Sequence, residues 1–301
     1  MTLPNFLIIG SQKSGTSSLY RYLKAHPQIF MTRIKEPKFF ALESDDFGFN
    51  APYSLPEEVA RIADFDAYQA LFADAGDETA LGEASTWYLH TPGTAERIRK
   101  YIPDVKLIAI LRQPVERAYS NFLHARNYLK IEPYHDFAQA IRAEDERFRQ
   151  QWGHPWYYKR KGFYYRHLKP YFDTFQREQI RVYLMDDLKA DAATLLKDIY
   201  RFLDVDDTFQ PDFARRYNVS ANSARSQTLH NVLNKPHPVK AALRRLLPPT
   251  VRRQLKLKLQ QKNRAPQTIS PEIRAELMRE FKGDILKLQD LIGRDLSTWL
   301  N

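Results

Sequence analysis

An α/β fold, with a parallel sheet held between two layers of helices, is predicted by three observations on this chain of 301 residues. Short apolar runs at 6–9, 105–111 and 180–184 have the length and continuity of buried parallel strands. Each is followed by a segment of helical periodicity, and this alternation is the pattern of strands crossed over by helices. Polar loops follow the apolar runs, and in such sheets ligands bind outside the carboxyl ends of the strands.

The elements follow in order. Residues 6–10 read as the first strand and 16–25 as a helix ended by His26-Pro27, with Ile29-Phe30-Met31 as a second short strand. Residues 41–63, rich in Asp, Glu, Pro and Gly, form an exposed excursion, and 65–72 have helical spacing. The segment 82–89 is expected where a loop leaves a strand. Residues 105–111 are the clearest central strand, leading through Arg112-Gln113-Pro114 into a helix over 115–128. A strand at 180–184 precedes a helix over 190–203 that carries Leu195, Leu196, Ile199 and Leu203 on one face. Residues 239–264 are basic, free of acid and amphipathic around Pro248-Pro249; 271–292 form a helix with Leu277, Phe281, Ile285, Leu288 and Ile292 at helical spacing. The reading is one domain over 1–301, with a core at 6–205 and a mostly helical, basic part at 206–301. The loops after Ile9, Leu89 and Leu111 are expected together on the ligand-binding edge.

Composition bounds the chemistry. With 43% hydrophobic residues the chain can bury a sizeable core, and its net charge of +10 favours anionic ligands. The absence of cysteine removes disulfides, thiolate metal sites and cysteine nucleophiles, and suits a reducing compartment. No leader pattern precedes residue 6, and no apolar run is long enough to span a bilayer, so a cytoplasmic location is expected.

The loop from Gly10 to Ser18 carries the strongest signal. An apolar strand runs into Gly10-Ser11-Gln12-Lys13-Ser14-Gly15, and Thr16-Ser17-Ser18 opens a helix, so backbone N–H groups and a helix N-terminus converge on one anion. In a nucleoside triphosphatase loop the lysine follows the second glycine. Here Thr16 holds that place and Lys13 lies inside the loop, which points away from an ATP γ-phosphate. A second anion motif, Arg112 with Ser120 eight residues on, follows the central strand; the guanidinium fork suits a phosphate. A magnesium-dependent enzyme would place an aspartate at such a strand end, so arginine argues against metal-assisted phosphoryl transfer, and no metal is expected. The alternative for Arg112 is an ion pair with Glu116 or Asp104.

Together these residues resemble the sulfotransferases that use 3′-phosphoadenosine 5′-phosphosulfate (PAPS), which have a P-loop-like fold. Lys13-Ser14-Gly15-Thr16-Ser17 is similar to their 5′-phosphosulfate loop, and Arg112 with Ser120 to their 3′-phosphate motif. The segments 35–40 and 83–88 resemble those of heparan sulfate sulfotransferases and their bacterial relatives. Gly162 to Leu168, Asp187-Leu188 and Phe202-Leu203 also fall in the family's order. The resemblance covers 6–205 and implies transfer of a sulfuryl group to an acceptor hydroxyl. It implies Glu36 as general base, Lys13 at the leaving oxygen, and Arg225 as a further contact for the 3′-phosphate.

Alternatives for Glu36 are ion pairs with Arg33 or Lys35. The chain departs from the heparan sulfate pattern at Ala84, where those enzymes carry lysine, which weakens the case for a glycosaminoglycan acceptor. His90 and His124 are the acid–base groups that could stand in. The acceptor is expected to be a hydroxylated small molecule, lipid or glycan. The stretch 239–264 could meet an acidic carrier protein or a membrane surface, and nucleic acid is not expected. The rival readings are a kinase-like nucleotide enzyme and a non-catalytic module that binds an acidic partner.

Overall fold

The computed structural model describes residues 2–41, 50–52, 62–213 and 269–300. Its sheet has five strands: β1 (Phe6–Gly10), β2 (Ile29–Met31), β3 (Ala80–Ala84), β4 (Lys106–Leu111) and β5 (Ile180–Leu184). The order is β2-β3-β1-β4-β5, and every neighbouring pair is parallel. All five carboxyl ends therefore open on one edge.

The apolar runs are continuous because both faces of the sheet are covered. Along β1, Phe6 and Ile8 face one side with Leu19 and Leu23 of α1 (Thr16–Lys24). Leu7 and Ile9 face the other side, with Ile98 of α3 (Thr94–Tyr101) and Val115 and Phe122 of α4 (Pro114–His124). These four β1 residues are wholly buried, each worth roughly 1.5–3 kcal/mol of burial. A short helix, α2 (Phe65–Ala70), lies between β2 and β3 in the chain. Two further short helices, α5 (Phe137–Arg142) and α6 (Glu144–Arg149), precede α7 (Tyr164–Thr174). After β5 come α8 (Met185–Ala190) and α9 (Ala192–Phe202), and then α10 (Pro271–Ile292). Leu196 and Ile199 of α9 join the α1 layer; Leu168 of α7 and Leu277, Phe281, Ile285 and Leu288 of α10 join the other. The three-layer parallel architecture and the C-terminal helix stand as expected.

Three boundaries differ from the sequence reading. β3 already ends at Ala84, and Leu89 belongs to a single 3₁₀ turn (Tyr88–His90), so the loop at the sheet edge begins at Ser85 rather than after Leu89. The helix expected over 115–128 is α-helical only to His124 and continues as a π-turn (Ala125–Leu129), closed by Lys130 in the left-handed region. α8, which has no buried residue, was absent from the reading because it offers no apolar stripe. Arg225 and the stretch 239–264 lie outside the described residues.

Candidate active site

The loop after β1 is built by the sheet beneath it. Ser11 N–H donates to the Ile110 carbonyl of β4 (2.8 Å), and the hydroxyls of Ser11 and Ser14 meet at 2.6 Å, both buried. Gly15 stands at the N-cap of α1 with φ 101°, a conformation only glycine adopts readily, and a Cβ there would come 3.2 Å from Leu188 of α8. No side chain caps α1; the Ser18 N–H donates to the Gly15 carbonyl (2.9 Å), and the helix N-terminus suits an anion. Thr16 is buried and Ser17 half-buried at that turn. Lys13, at φ 70°, is held in a conformation that costs a non-glycine residue of order 1–3 kcal/mol. Burial, and then the Arg112 guanidinium, bring its ammonium down to about 8.

Arg112 follows β4 directly. Its Nη1 lies 3.5 Å from the Lys13 carbonyl, and the Tyr164 hydroxyl donates to its own carbonyl (2.8 Å). The expected alternative pairing is also present: Arg112 is 3.5 Å from Glu116, which Arg274 of α10 grips as well. Two guanidinium groups thus share one carboxylate, and positive charge is left over. Ser120 is buried farther along α4. His124, at the end of α4, is held down to about 4 by burial, Lys13 and Lys161 in that order. Arg117, wholly buried, donates to the Tyr158 carbonyl and to Asn121 (3.4 Å).

Glu36 belongs to a segment that runs beside the end of β3. Its N–H donates to the Ala84 carbonyl (2.9 Å), and the Lys38 N–H donates to the Ser85 hydroxyl (3.0 Å). The Glu36 carboxylate accepts from the Thr86 N–H (2.8 Å), from the Thr86 hydroxyl (3.1 Å) and from Lys35 Nζ (2.8 Å). Arg33 pairs with Asp74 instead, and Lys38 Nζ stands 4.7 Å from the centre of the Trp87 ring. Phe39 and Phe40, farther along the same segment, belong to a buried aromatic cluster with Tyr68. Behind Glu36, burial pushes the Glu83 carboxyl up to about 8; Tyr88 and Ser85 pull it down, and Glu36 adds to the rise.

His90 is buried against His154, their rings 4.7 Å apart, and burial holds it well below the usual histidine range. His90 is therefore a neutral imidazole in the wall of the site. Thr86, Gln12, Lys161 and Tyr164 were missed as site residues. Gln12, Thr86 and Tyr164 stood inside the motifs and Lys161 beside one, but nothing in the sequence pairs Lys161 with Gln12 or Tyr164 with Arg112. Among the described residues no group of three or more His, Asp or Glu side chains is placed to hold a metal ion, and no described helix is long and apolar enough to cross a membrane.

A parallel sheet presents a glycine-turned loop with an internal lysine, a strand-end arginine and a hydrogen-bonded carboxylate on one edge, an arrangement whose donors suit anionic groups. The sulfotransferase family model matches residues 4–211, and the chain belongs to this family. It is 32% identical to a sulfotransferase from Alicyclobacillus acidocaldarius of known crystal structure, with a TM-score of 0.75 and full coverage of both chains. It is 30% identical over 213 residues to the bifunctional heparan sulfate N-deacetylase/N-sulfotransferase 3 of Homo sapiens, covering 67% of this chain and 22% of that one. It is also 35% identical over 130 residues to the membrane-associated sulfotransferase kil1 of Dictyostelium discoideum, covering 43% of this chain and 25% of that one. The match thus spans about a quarter of the length of these curated relatives.

Proposed function

We propose that the chain is a PAPS-dependent O-sulfotransferase, a single domain over 1–301 with its nucleotide core at 6–205. The observation that carries this reading is the placement of Lys13, Arg112 and Lys161 at the loops after β1 and β4, with Arg112 Nη1 3.5 Å from the Lys13 carbonyl and Lys161 Nζ 2.9 Å from the Gln12 side chain. Such charge is stable beside a polyanion and costly without one. In this reading Lys13, Ser14, Gly15, Thr16 and Ser17 hold the 5′-phosphosulfate, and Arg112 with Ser120 holds the 3′-phosphate, joined by Arg225. An acceptor hydroxyl attacks sulfur in line with the sulfur–oxygen bond that breaks. Glu36 takes the hydroxyl proton, and Lys13 stabilises the charge that develops on the departing phosphate oxygen. Thr86 and Lys35 keep the Glu36 carboxylate oriented until that transfer. The spent donor is adenosine 3′,5′-bisphosphate. Relatives named for heparan sulfate and carbohydrates favour a glycan among the acceptor classes.

Thermal shift provides the test. Adenosine 3′,5′-bisphosphate is expected to raise the melting temperature well above the effect of ATP with magnesium, and the reverse order would overturn the donor assignment. In a transfer assay with a panel of glycan hydroxyls and amines, Glu36→Gln is expected to lower turnover by about 10²–10⁴-fold while leaving bisphosphate affinity unchanged. Equal loss of binding would remove Glu36 from the role of base.

A further inference from the structure

Lys161 is 4% exposed, yet among the described residues no carboxylate forms an ion pair with it. Its Nζ donates instead to two neutral acceptors, the side-chain oxygen of Gln12 (2.9 Å) and the carbonyl of His154 (2.8 Å). Gln12 precedes Lys13 in the loop after β1, so this buried lysine reaches that loop from 149 residues away.

The turn that carries Lys161 is fixed from several sides. The buried Glu144 carboxylate accepts the N–H groups of Tyr158 (2.6 Å), Lys159 (2.7 Å) and Arg160 (2.8 Å). Arg117 donates to the Tyr158 carbonyl. At Gly162 a Cβ would come within 2.8 Å of the Phe281 ring and 3.1 Å of Pro114, so the turn is pressed against α10 and α4. Two residues farther on, Tyr164 donates to the Arg112 carbonyl. One short segment therefore holds both anion-binding loops.

We propose that Lys161 is a positioning residue of the donor site, which fixes the Lys13 loop through Gln12 while Tyr164, at the start of α7, fixes Arg112. The inference rests on the donor reading above. Lys161 is faced by Arg117 and His124 from α4, by His90 and His154, by His167 from α7 and by Glu144 from α6. Burial, then Arg117, holds its ammonium well below the usual lysine range, and Glu144 opposes them.

Calorimetry of the full chain tests this, with adenosine 3′,5′-bisphosphate and adenosine 5′-monophosphate titrated at pH 7. Lys161→Met is expected to weaken both nucleotides by the same factor, about ten- to a hundredfold, the value of one charge-assisted hydrogen bond. Arg112→Ala weakens the bisphosphate alone. Gln12→Ala reproduces the Lys161→Met loss, and the double variant loses no more than either single one. Lys161→Arg keeps most of the affinity, because the charge and its donors are retained. Wild-type affinity in Lys161→Met, or losses that add in full, overturns the positioning role. If Lys161→Met does not fold, Gln12→Ala and Lys161→Arg decide the matter alone. Failure of the wild-type chain to bind the bisphosphate overturns the donor reading and this inference with it; wild-type binding with unaffected variants overturns the inference only.

Discussion

Lys13, Glu36 and Lys38 all have positive φ, at 70°, 64° and 61°. Side chains of this kind avoid that region, and three of them around one edge mark backbone held by its surroundings rather than by local preference. At Lys13 the surroundings also set the charge. With its ammonium brought down to about 8, the free protein carries this charge below pH 8 and loses it above. A bound anion favours the charged form, so nucleotide affinity is expected to be level below pH 8 and to fall above it, by up to about tenfold per pH unit. Calorimetry across pH 6.5–9.5 checks this, and Lys13→Ala should flatten that decline. Glu83 behaves in the opposite sense. Its carboxyl titrates near 4.5 when unfolded and near 8 when folded, so the unfolded chain releases the proton first. Its contribution is full below pH 4.5, declines as pH rises to about 8 and is constant thereafter. Glu83→Gln removes that slope. Its stability relative to wild type is expected to rise between pH 5 and 8 by on the order of a few kcal/mol, read from urea unfolding at each pH.

Among the elements, those with a contiguous apolar signal were legible in the sequence: β1, β4, β5, α1, α9 and α10. β3 was half legible, because a strand reading Ala-Leu-Gly-Glu-Ala carries a buried acid and a glycine whose place is taken by the Phe6 ring, with 2.3 Å left for a Cβ. The loops after β1 and β4 could be read because each motif is local, with its residues close together in the chain. The Thr86 clasp on Glu36 and the Lys161 contact with Gln12 could not, since they join residues 50 and 149 positions apart. The region between α4 and α7 gave little periodicity, and its order rests on buried polar groups. Arg147 of α6 meets Glu132 through two hydrogen bonds of 2.8 Å, with both side chains almost fully buried, and Tyr158 donates to the same carboxylate. Arg147→Met leaves that carboxylate buried without its cation. A loss of about 3–5 kcal/mol in urea unfolding is expected, whereas replacing both partners by apolar residues should restore much of it.

At the scale of the whole molecule, the sheet order puts β1 at the centre, flanked by β3 and β4, so the Glu36 clasp, the Lys13 loop and Arg112 emerge from three adjacent strands. The C-terminal elements hold this edge from outside. Arg274 reaches Glu116, Gln113 donates to the Trp299 carbonyl (3.3 Å), and Arg294 binds Asp187 of α8 through both guanidinium arms. The register between β1 and β4 shifts between Ile8 and Gly10, which draws the first loop onto β4, where Ser11 bonds the Ile110 carbonyl two residues before Arg112. Both anion loops are thus referred to one strand, and the gap between them is a backbone dimension that side-chain motion alters little. The edge acts as a calliper. It is expected to grade nucleotides by the separation of their charged groups rather than by total charge, so adenosine 2′,5′-bisphosphate should bind about tenfold or more weaker than the 3′,5′ isomer, the loss of one charge-assisted contact. Equal affinity of the two isomers in a competition titration would show the jaws to be adjustable.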